Sequence, residues 1–267
     1  MDRLAPARGL LACPVCGEGL RPEQSSVRCR NGHSFDVARQ GYRNLMGGPQ
    51  PRNADTADMV AARRRFLSSG LYEPIAAEVS RRLAHQQVLL EVGAGPGHYL
   101  SRMLDANPAA RGVALDVSVA AARAAARAHP RASAVVADAW RRLPILSGRI
   151  GGLASVFAPR NWGEFARVMA EGGTLAVAIP NPDHLEGLRR RYGLLGVGDD
   201  KAERILRDAA GPFEPLGTKR LRFTATATAD QVSDLIAMGP NAFHRVPEVT
   251  GPHDLDVSVT VLWFRRR

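Results

Sequence analysis

The three cysteines of this chain fall with one histidine into a single constellation, Cys13-x2-Cys16 followed by Cys29-x3-His33. Two such knuckles offer four ligands, and tetrahedral zinc takes four, thiolate sulfur or imidazole nitrogen. Gly17 and Gly32 supply the tight turns that let each pair converge. Cysteines scattered by chance would not all lie between residues 13 and 33 at ligand spacing. A site whose coordination positions are all filled by protein is structural. The sequence therefore predicts a small module folded around Zn2+ over residues 1–45, and chemistry elsewhere.

At 267 residues the chain has room for one full α/β domain beside that module. No stretch has the apolar length of a membrane span, and the N-terminus lacks a signal-peptide core. With no cysteine left for a disulfide, a cytoplasmic location and no membrane partner are expected. Net charge is +10, and all but two of the 36 basic residues are arginine. Positive charge of this size favours a polyanion through steering and counterion release, and arginine adds bidentate phosphate contacts and base stacking. An arginine- and alanine-rich composition also follows from a GC-rich genome, so charge alone only tilts the reading toward nucleic acid.

Residues 47–55 (GGPQPRNAD) read as a linker. The chain then divides into the zinc module at 1–45, a linker with connecting helices at 46–86 and the main domain at 87–267. Thr56 is placed to cap a helix carrying Met59, Val60, Phe66 and Leu67, which Gly70 stops. A second helix starts near Glu73, with Pro74 where a missing amide donor costs nothing. From Val88 onward short apolar runs alternate with amphipathic stretches. Strands are expected at 88–92, 112–115, 134–137, 153–157 and 174–179, with helices at 98–104, 119–128, 161–169 and 184–191. This βα succession predicts a doubly wound, mostly parallel α/β sheet. A strand at 219–226, a helix at 230–238 and a strand at 256–264 predict a late antiparallel pair at one edge.

The first strand of that series runs into Glu91-Val92-Gly93-Ala94-Gly95-Pro96-Gly97-His98. Glycines there let the backbone approach a ligand lying over the strand's carboxyl end. A dinucleotide fingerprint requires G-x-G-x-x-G, whereas this run is G-x-G-x-G with His98 at the sixth position. That form, with Glu91 two positions ahead, resembles the first motif of class I (Rossmann-like) S-adenosylmethionine-dependent methyltransferases. Glu91 would suit the ammonium and sulfonium of that cofactor better than a pyrophosphate. Asp116 ends the second strand, 19 residues past Gly97, where it could accept both ribose hydroxyls. Asp138 follows the third, at the expected adenine edge. Any one of these acids could be a turn or helix cap; the ordered set points to the cofactor.

Three substrate chemistries are disfavoured. Methylation of pyrimidine C5 needs a cysteine nucleophile, and all three cysteines are committed to zinc. Exocyclic amine methylation usually carries an Asn/Asp/Ser-Pro-Pro-aromatic motif after the fourth strand, where this chain has Val156-Phe157-Ala158-Pro159-Arg160. A metal-dependent catechol-type enzyme would want an acidic cluster that cannot be assembled. In-line attack by a ring nitrogen or oxygen on a sulfonium methyl remains, and it needs chiefly positioning and exclusion of water.

The knuckles, the glycine loop, residues 34–45 (SFDVARQGYRNL), 58–63 (DMVAAR), 70–74 (GLYEP), 156–161 (VFAPRN) and 237–240 (AMGP) together resemble the 23S rRNA (guanine-N1) methyltransferases over nearly the whole chain. The likeness is greatest to the branch from macrolide-producing actinomycetes. The resemblance implies as substrate one guanine in a domain II hairpin of 23S rRNA lining the ribosomal exit tunnel. Its methylation would blunt tylosin- and mycinamicin-type macrolides. It also implies an RNA-holding zinc module, pairing into a homodimer, and cofactor contacts from Tyr72, Gly97, His98 and His184, the last in Pro182-Asp183-His184-Leu185. The family's acidic-x-Gly-Cys-Gly loop is Glu91-Val92-Gly93-Ala94-Gly95 here, a mild change because contacts there are largely backbone.

The guanine N1 must lose a proton as it gains a methyl group, and Arg160 and His184 are the candidates to assist or to stabilise charge on O6. Arg160 could equally bind phosphate, and His184 could seat the cofactor or cap a helix. Trp162 could stack on a base but reads better as core, and His244 reads as structural. Two rival functions remain: a small-molecule, natural-product methyltransferase, which has little use for a zinc module, and a non-catalytic RNA-binding protein, which has little use for intact Glu91, Gly93, Gly95, Gly97 and Asp116.

Overall fold

The computed structural model describes residues 5–198, 201–243 and 247–267; His244 lies outside them. The N-terminal module is a three-stranded antiparallel sheet of β1 (Arg21–Glu23), β2 (Ser26–Arg28) and β3 (Ser34–Asp36). It does not stand apart from the rest. Ala12 N–H donates to Pro144 O at 3.0 Å and Leu146 N–H to Leu10 O at 2.8 Å. Leu10, Leu11, Leu20 and Val27 are buried in one cluster with Leu143, Ile145 and the inner face of the main sheet. The next strand, β4 (Arg43–Asn44), pairs in parallel with the edge of that sheet. A boundary at residue 45 thus falls just after a strand of the main sheet.

Helix α1 (Ala57–Ser68) starts where the sequence places it, with Thr56 Oγ1 accepting from Met59 N–H at 3.3 Å. Helix α2 (Glu73–Leu83) carries Pro74 in its first turn and turns Ile75, Ala76, Val79 and Leu83 into the core. The main domain follows as β5 (Val88–Val92), α3 (His98–Ala106), β6 (Arg111–Asp116), α4 (Val119–Ala125), β7 (Ala132–Val136), β8 (Ile150–Val156), α5 (Trp162–Val168), β9 (Met169–Pro180), α6 (Glu186–Tyr192), α7 (Lys201–Ala209), β10 (Phe213–Ala227), α8 (Ala229–Ala237) and β11 (His253–Arg266).

The sheet order is β10-β11-β9-β8-β5-β6-β7-β4. All pairs are parallel except the two made by β11, which enters antiparallel between β9 and β10. This is a Rossmann-like core, with the expected late antiparallel pair. The chain leaves β5 toward β6 on one side, and β8 returns on the other. A crevice therefore opens at the carboxyl ends of β5 and β8, the switch point where open α/β sheets bind ligands. No helix among the described residues is long and apolar enough to cross a membrane.

Several elements differ from expectation: β4 was not foreseen, and β9 starts at Met169 rather than at 174. Helix α7 was not foreseen: Ala202, Ile205 and Ala209 recur at helical spacing and pack inward, but in a short segment dominated by charged residues. Strand β10 begins at Phe213, six residues before its expected start. Its first half, Glu214–Arg220, is exposed or half-exposed, so the alternation that signals a strand is visible only further on.

Deleting residues 1–45 would strip β4 from β7 and uncover Leu143 and Ile145. The truncated chain is expected to aggregate or lose cooperative thermal unfolding, measured by light scattering and circular dichroism. A soluble, cooperatively melting fragment would show that the module is only an appendage.

Candidate active site and zinc centre

In the N-terminal module the ligand atoms of Cys13, Cys16, Cys29 and His33 all lie within 4.8 Å of one another. Cys16 Sγ and Cys29 Sγ are 3.7 Å apart, and Cys29 Sγ stands 3.4 Å from His33 Nδ1. Tetrahedral bonds of about 2.3 Å to sulfur separate two sulfurs by ~3.8 Å, so the donor set fits zinc. A hydrogen bond from the Glu18 backbone, with help from neighbouring side chains, brings the Cys16 thiol down to about 6. Burial raises Cys13. Four protein donors leave no open position, so the centre is structural.

The second centre forms over the switch point. β5 ends at Val92 and the chain turns through Gly93, Gly95 and Gly97 with φ of 72°, 51° and 83°. L side chains rarely adopt such values. At Gly93 a side chain would also collide with Ala158 of the loop after β8. Gly93 and Ala94 N–H both donate to Leu115 O, at 2.8 and 3.0 Å. Gly95 N–H donates to Asp116 Oδ2 at 2.8 Å, while Asp116 Oδ1 accepts from Ser118 N–H at 2.8 Å. Asp116 thus ties the glycine loop to the start of α4, and burial raises its pKa. Glu91 lies below the loop, 1% exposed, accepting from Leu100 N–H in the first turn of α3 at 2.8 Å. There it satisfies an orphan donor of the helix. Burial pushes its carboxyl up to about 8, with the Asp116 charge adding to that and the Leu100 hydrogen bond opposing it.

A cleft of about 340 Å³ opens over this loop. Gly93 and Gly95 form its floor, Tyr72, Phe157 and His184 one wall, and Leu67, Leu188, Leu235 and Ile236 supply apolar surface. His184 has both ring nitrogens engaged. Ser258 N–H donates to Nδ1 at 3.2 Å, so the proton of the neutral ring sits on Nε2, which faces Tyr72 Oη at 3.2 Å. Burial, aided by the Arg189 charge, brings this histidine down to about 4 and keeps it neutral. Burial likewise raises Tyr72 far above the usual phenol range. Tyr72 accepts from His184, which leaves its own hydroxyl proton available to a ligand. The pair is a relay of fixed direction rather than a free base.

Phe157 was not singled out from the sequence. It has φ of 53°, an uncommon left-handed backbone for an aromatic residue, and is 40% exposed. Its ring stacks on His184 at 25° and 6.3 Å. Phe157 N–H donates to Ala178 O at 3.0 Å, Arg160 Nη1 to Ala158 O at 3.0 Å and Asn161 Nδ2 to Ala139 O at 3.2 Å, which together hold the strained turn. Arg63 was also passed over: its guanidinium spans the loop, paired with Asp55 at 2.5 Å and donating to Met238 O at 2.5 Å.

The other expected residues lie outside the cleft lining. Arg160 faces the charges of Lys201 and Arg204 on α7. His98 packs edge-on to Tyr99, and burial lowers its pKa. Asp138 Oδ1 accepts from Trp140 N–H at 2.9 Å in a turn after β7. Trp162 packs on Phe165, Phe213 and Phe264, as core.

Residues 11–50 match the N-terminal zinc-ribbon family of RlmA. A 23S rRNA (guanine(748)-N(1))-methyltransferase of Streptomyces fradiae is 44% identical over 264 residues, 94% of each chain. This chain belongs to that 23S rRNA guanine-N1 methyltransferase family. A Micromonospora griseorubida protein bearing the 23S rRNA (guanine-N(1)-)-methyltransferase name is 43% identical over 259 residues, 89% of this chain and 88% of its own. Among solved structures, a chain of the complex between the Haloferax volcanii Trm112 methyltransferase activator and a methyltransferase superposes with a TM-score of 0.50. It is 17% identical and covers 79% of this chain and 97% of its own; that likeness concerns the fold alone. Within the family, the cleft fits S-adenosylmethionine: a glycine floor that admits no Cβ at Gly93 and is tied by Asp116 behind it, and apolar walls.

The Glu91 carboxyl sits above its ordinary value of 4.5 in the folded state. The folded protein therefore holds a proton that the unfolded chain releases, and the stability this gives at low pH is lost as pH rises toward and through about 8. Glu91→Gln keeps an acceptor for Leu100 and removes the titration. Its thermal midpoint relative to wild type is expected to climb between pH 5 and pH 9; a constant difference would contradict the buried-acid assignment. For zinc, Cys29→Ser or a strong chelator is expected to release the ion and lower the midpoint, followed by a colorimetric zinc assay and melting together.

Proposed function

We propose that the chain transfers a methyl group from S-adenosylmethionine to N1 of a guanine in 23S rRNA. The observation that carries this is the 44% identity to the Streptomyces fradiae enzyme, spread over 94% of the chain and so over both centres. When bound, the cofactor supplies an electrophilic methyl on a sulfonium. The chain's own residues do the rest. The backbone of Gly93 and Gly95 accommodates the ligand, Tyr72 offers a hydroxyl proton in a direction fixed by His184, and Asp116 stands at the ribose position. Gly97, His98, Glu91 and Asp138 shape the loop, helix and turn around it.

The cleft lining carries no carboxylate among the described residues, and its imidazole is occupied on both nitrogens. Proton removal from N1 is thus left to solvent, with Tyr72 and the cations of Arg63 and Arg189 favouring the anionic base. Apolar walls keep water from the sulfonium methyl while solvent at the open face of the cleft takes up the N1 proton, and positioning supplies much of the acceleration. Phe157 provides the face on which an extruded guanine stacks, and Arg160 acts by holding the 157–161 loop. A domain II hairpin as target, tylosin- and mycinamicin-type macrolide resistance as outcome, a cytoplasmic setting and a paired molecule complete the proposal. Its support is guanine 748 in the name of the Streptomyces fradiae enzyme and the resemblance of motifs.

The direct test is transfer of labelled methyl to protein-free 23S rRNA lacking the modification, mapped by mass spectrometry. One N1-methylguanine in the domain II hairpin is expected. No incorporation by protein that holds zinc and binds the cofactor would move small molecules or assembled ribosomes to the front. In the same assay Phe157→Ala is expected to lower kcat/KM by about ten- to a hundredfold, the scale of one lost base stack. Its affinity for the cofactor should fall far less, because the Gly93–Gly95 floor and Tyr72 remain.

A further inference from the structure

The turn after β7 carries a tryptophan that the fold does not use. Trp140 is 67% exposed, and among the described residues no ring or cation stacks on it. Its backbone is nevertheless fixed. Arg141 N–H closes the turn on Asp138 O at 3.1 Å, Trp140 N–H donates to Asp138 Oδ1 at 2.9 Å, and Asn161 Nδ2 holds Ala139 O at 3.2 Å. The indole is thus a flat apolar surface held out into water on a rigid support. Arg141 and Arg142, both exposed, follow it directly. Arg141 has a carboxylate only at 3.6 Å, from Asp138. The Arg142 guanidinium reaches the first zinc knuckle, within 3.4 Å of where a side chain on Gly17 would begin. Just beyond, Pro144 O accepts from Ala12 N–H and Leu146 N–H donates to Leu10 O. Through Asn161 the same turn is tied to the loop that presents Phe157. It therefore bridges the two centres.

A rigid aromatic face flanked by arginines selects for a base with its phosphate. Every nucleobase has a π-face to stack, arginine grips the phosphodiester, and a platform already immobilised loses little entropy on binding. A neutral protein partner would make no use of the two cations. We infer that Trp140, with Arg141 and Arg142, is a stacking platform for an unpaired base of the substrate RNA, between the zinc module and the methyl-transfer cleft. The inference rests on the rRNA reading above.

Tryptophan fluorescence tests it, because Trp263 is buried and Trp162 is packed among phenylalanines. Titrating the full chain with a transcript of the domain II hairpin is expected to quench wild type, with the quench absent in Trp140→Ala. Hairpin affinity by filter binding should fall about tenfold or more in Trp140→Ala and stay within about threefold of wild type in Trp140→Phe, which keeps a stacking ring. Both variants should melt like wild type and bind S-adenosylmethionine normally. Wild-type hairpin affinity in Trp140→Ala would overturn the platform. So would a loss of cofactor affinity with RNA binding intact, which would place the indole over the cofactor's adenine. Absence of hairpin binding by wild type itself would overturn the rRNA reading, and the platform with it.

Discussion

The loops after β5 and β8 touch at Gly93 and Ala158, with no room for a Cβ between them. Everything functional in the main domain hangs on that contact. It brings the glycine floor to one side of the switch point and the Phe157 wall to the other. It also explains why Gly93 is confined twice, by a positive φ and by its neighbour. A side chain there would part the loops and open the cleft to water.

The acids around this contact build the site more than they line it. Glu91 is spent on the first turn of α3 and Asp116 on Gly95 and Ser118. Placing carboxylates beneath the loop fixes its backbone while the surface toward the ligand stays apolar and largely uncharged, apart from Arg63 and Arg189. Such a surface suits a reaction whose demands are alignment and dryness rather than a strong base.

How far the sequence could be read depended on whether a feature was periodic or conformational. The zinc ligands were legible because ligand spacing is a local property of the chain, and the parallel strands because fully buried strands are continuous apolar runs. The glycine loop was legible as a motif, but the duties of Glu91 and Asp116 were not. Both were read as facing the cofactor, and only the fold shows each accepting backbone N–H groups. Phe157 escaped notice because its significance lies in φ, which no residue pattern encodes. Helix α7 escaped because its apolar stripe is one short run in a segment dominated by charged residues. Trp140 was hidden for another reason. An aromatic after a strand reads as core until its exposure is known.

The direction of the Tyr72–His184 relay is set by Ser258, a residue of β11. That strand is the last of the sheet to be synthesised, yet it lies inside it, between β9 and β10. The proton order of the cleft is therefore fixed by this strand: the Tyr72 hydroxyl would accept either tautomer of His184, and the Ser258 N–H on Nδ1 selects one. A strand distant in sequence from the glycine loop thus sets which ring nitrogen of the cleft wall carries the proton.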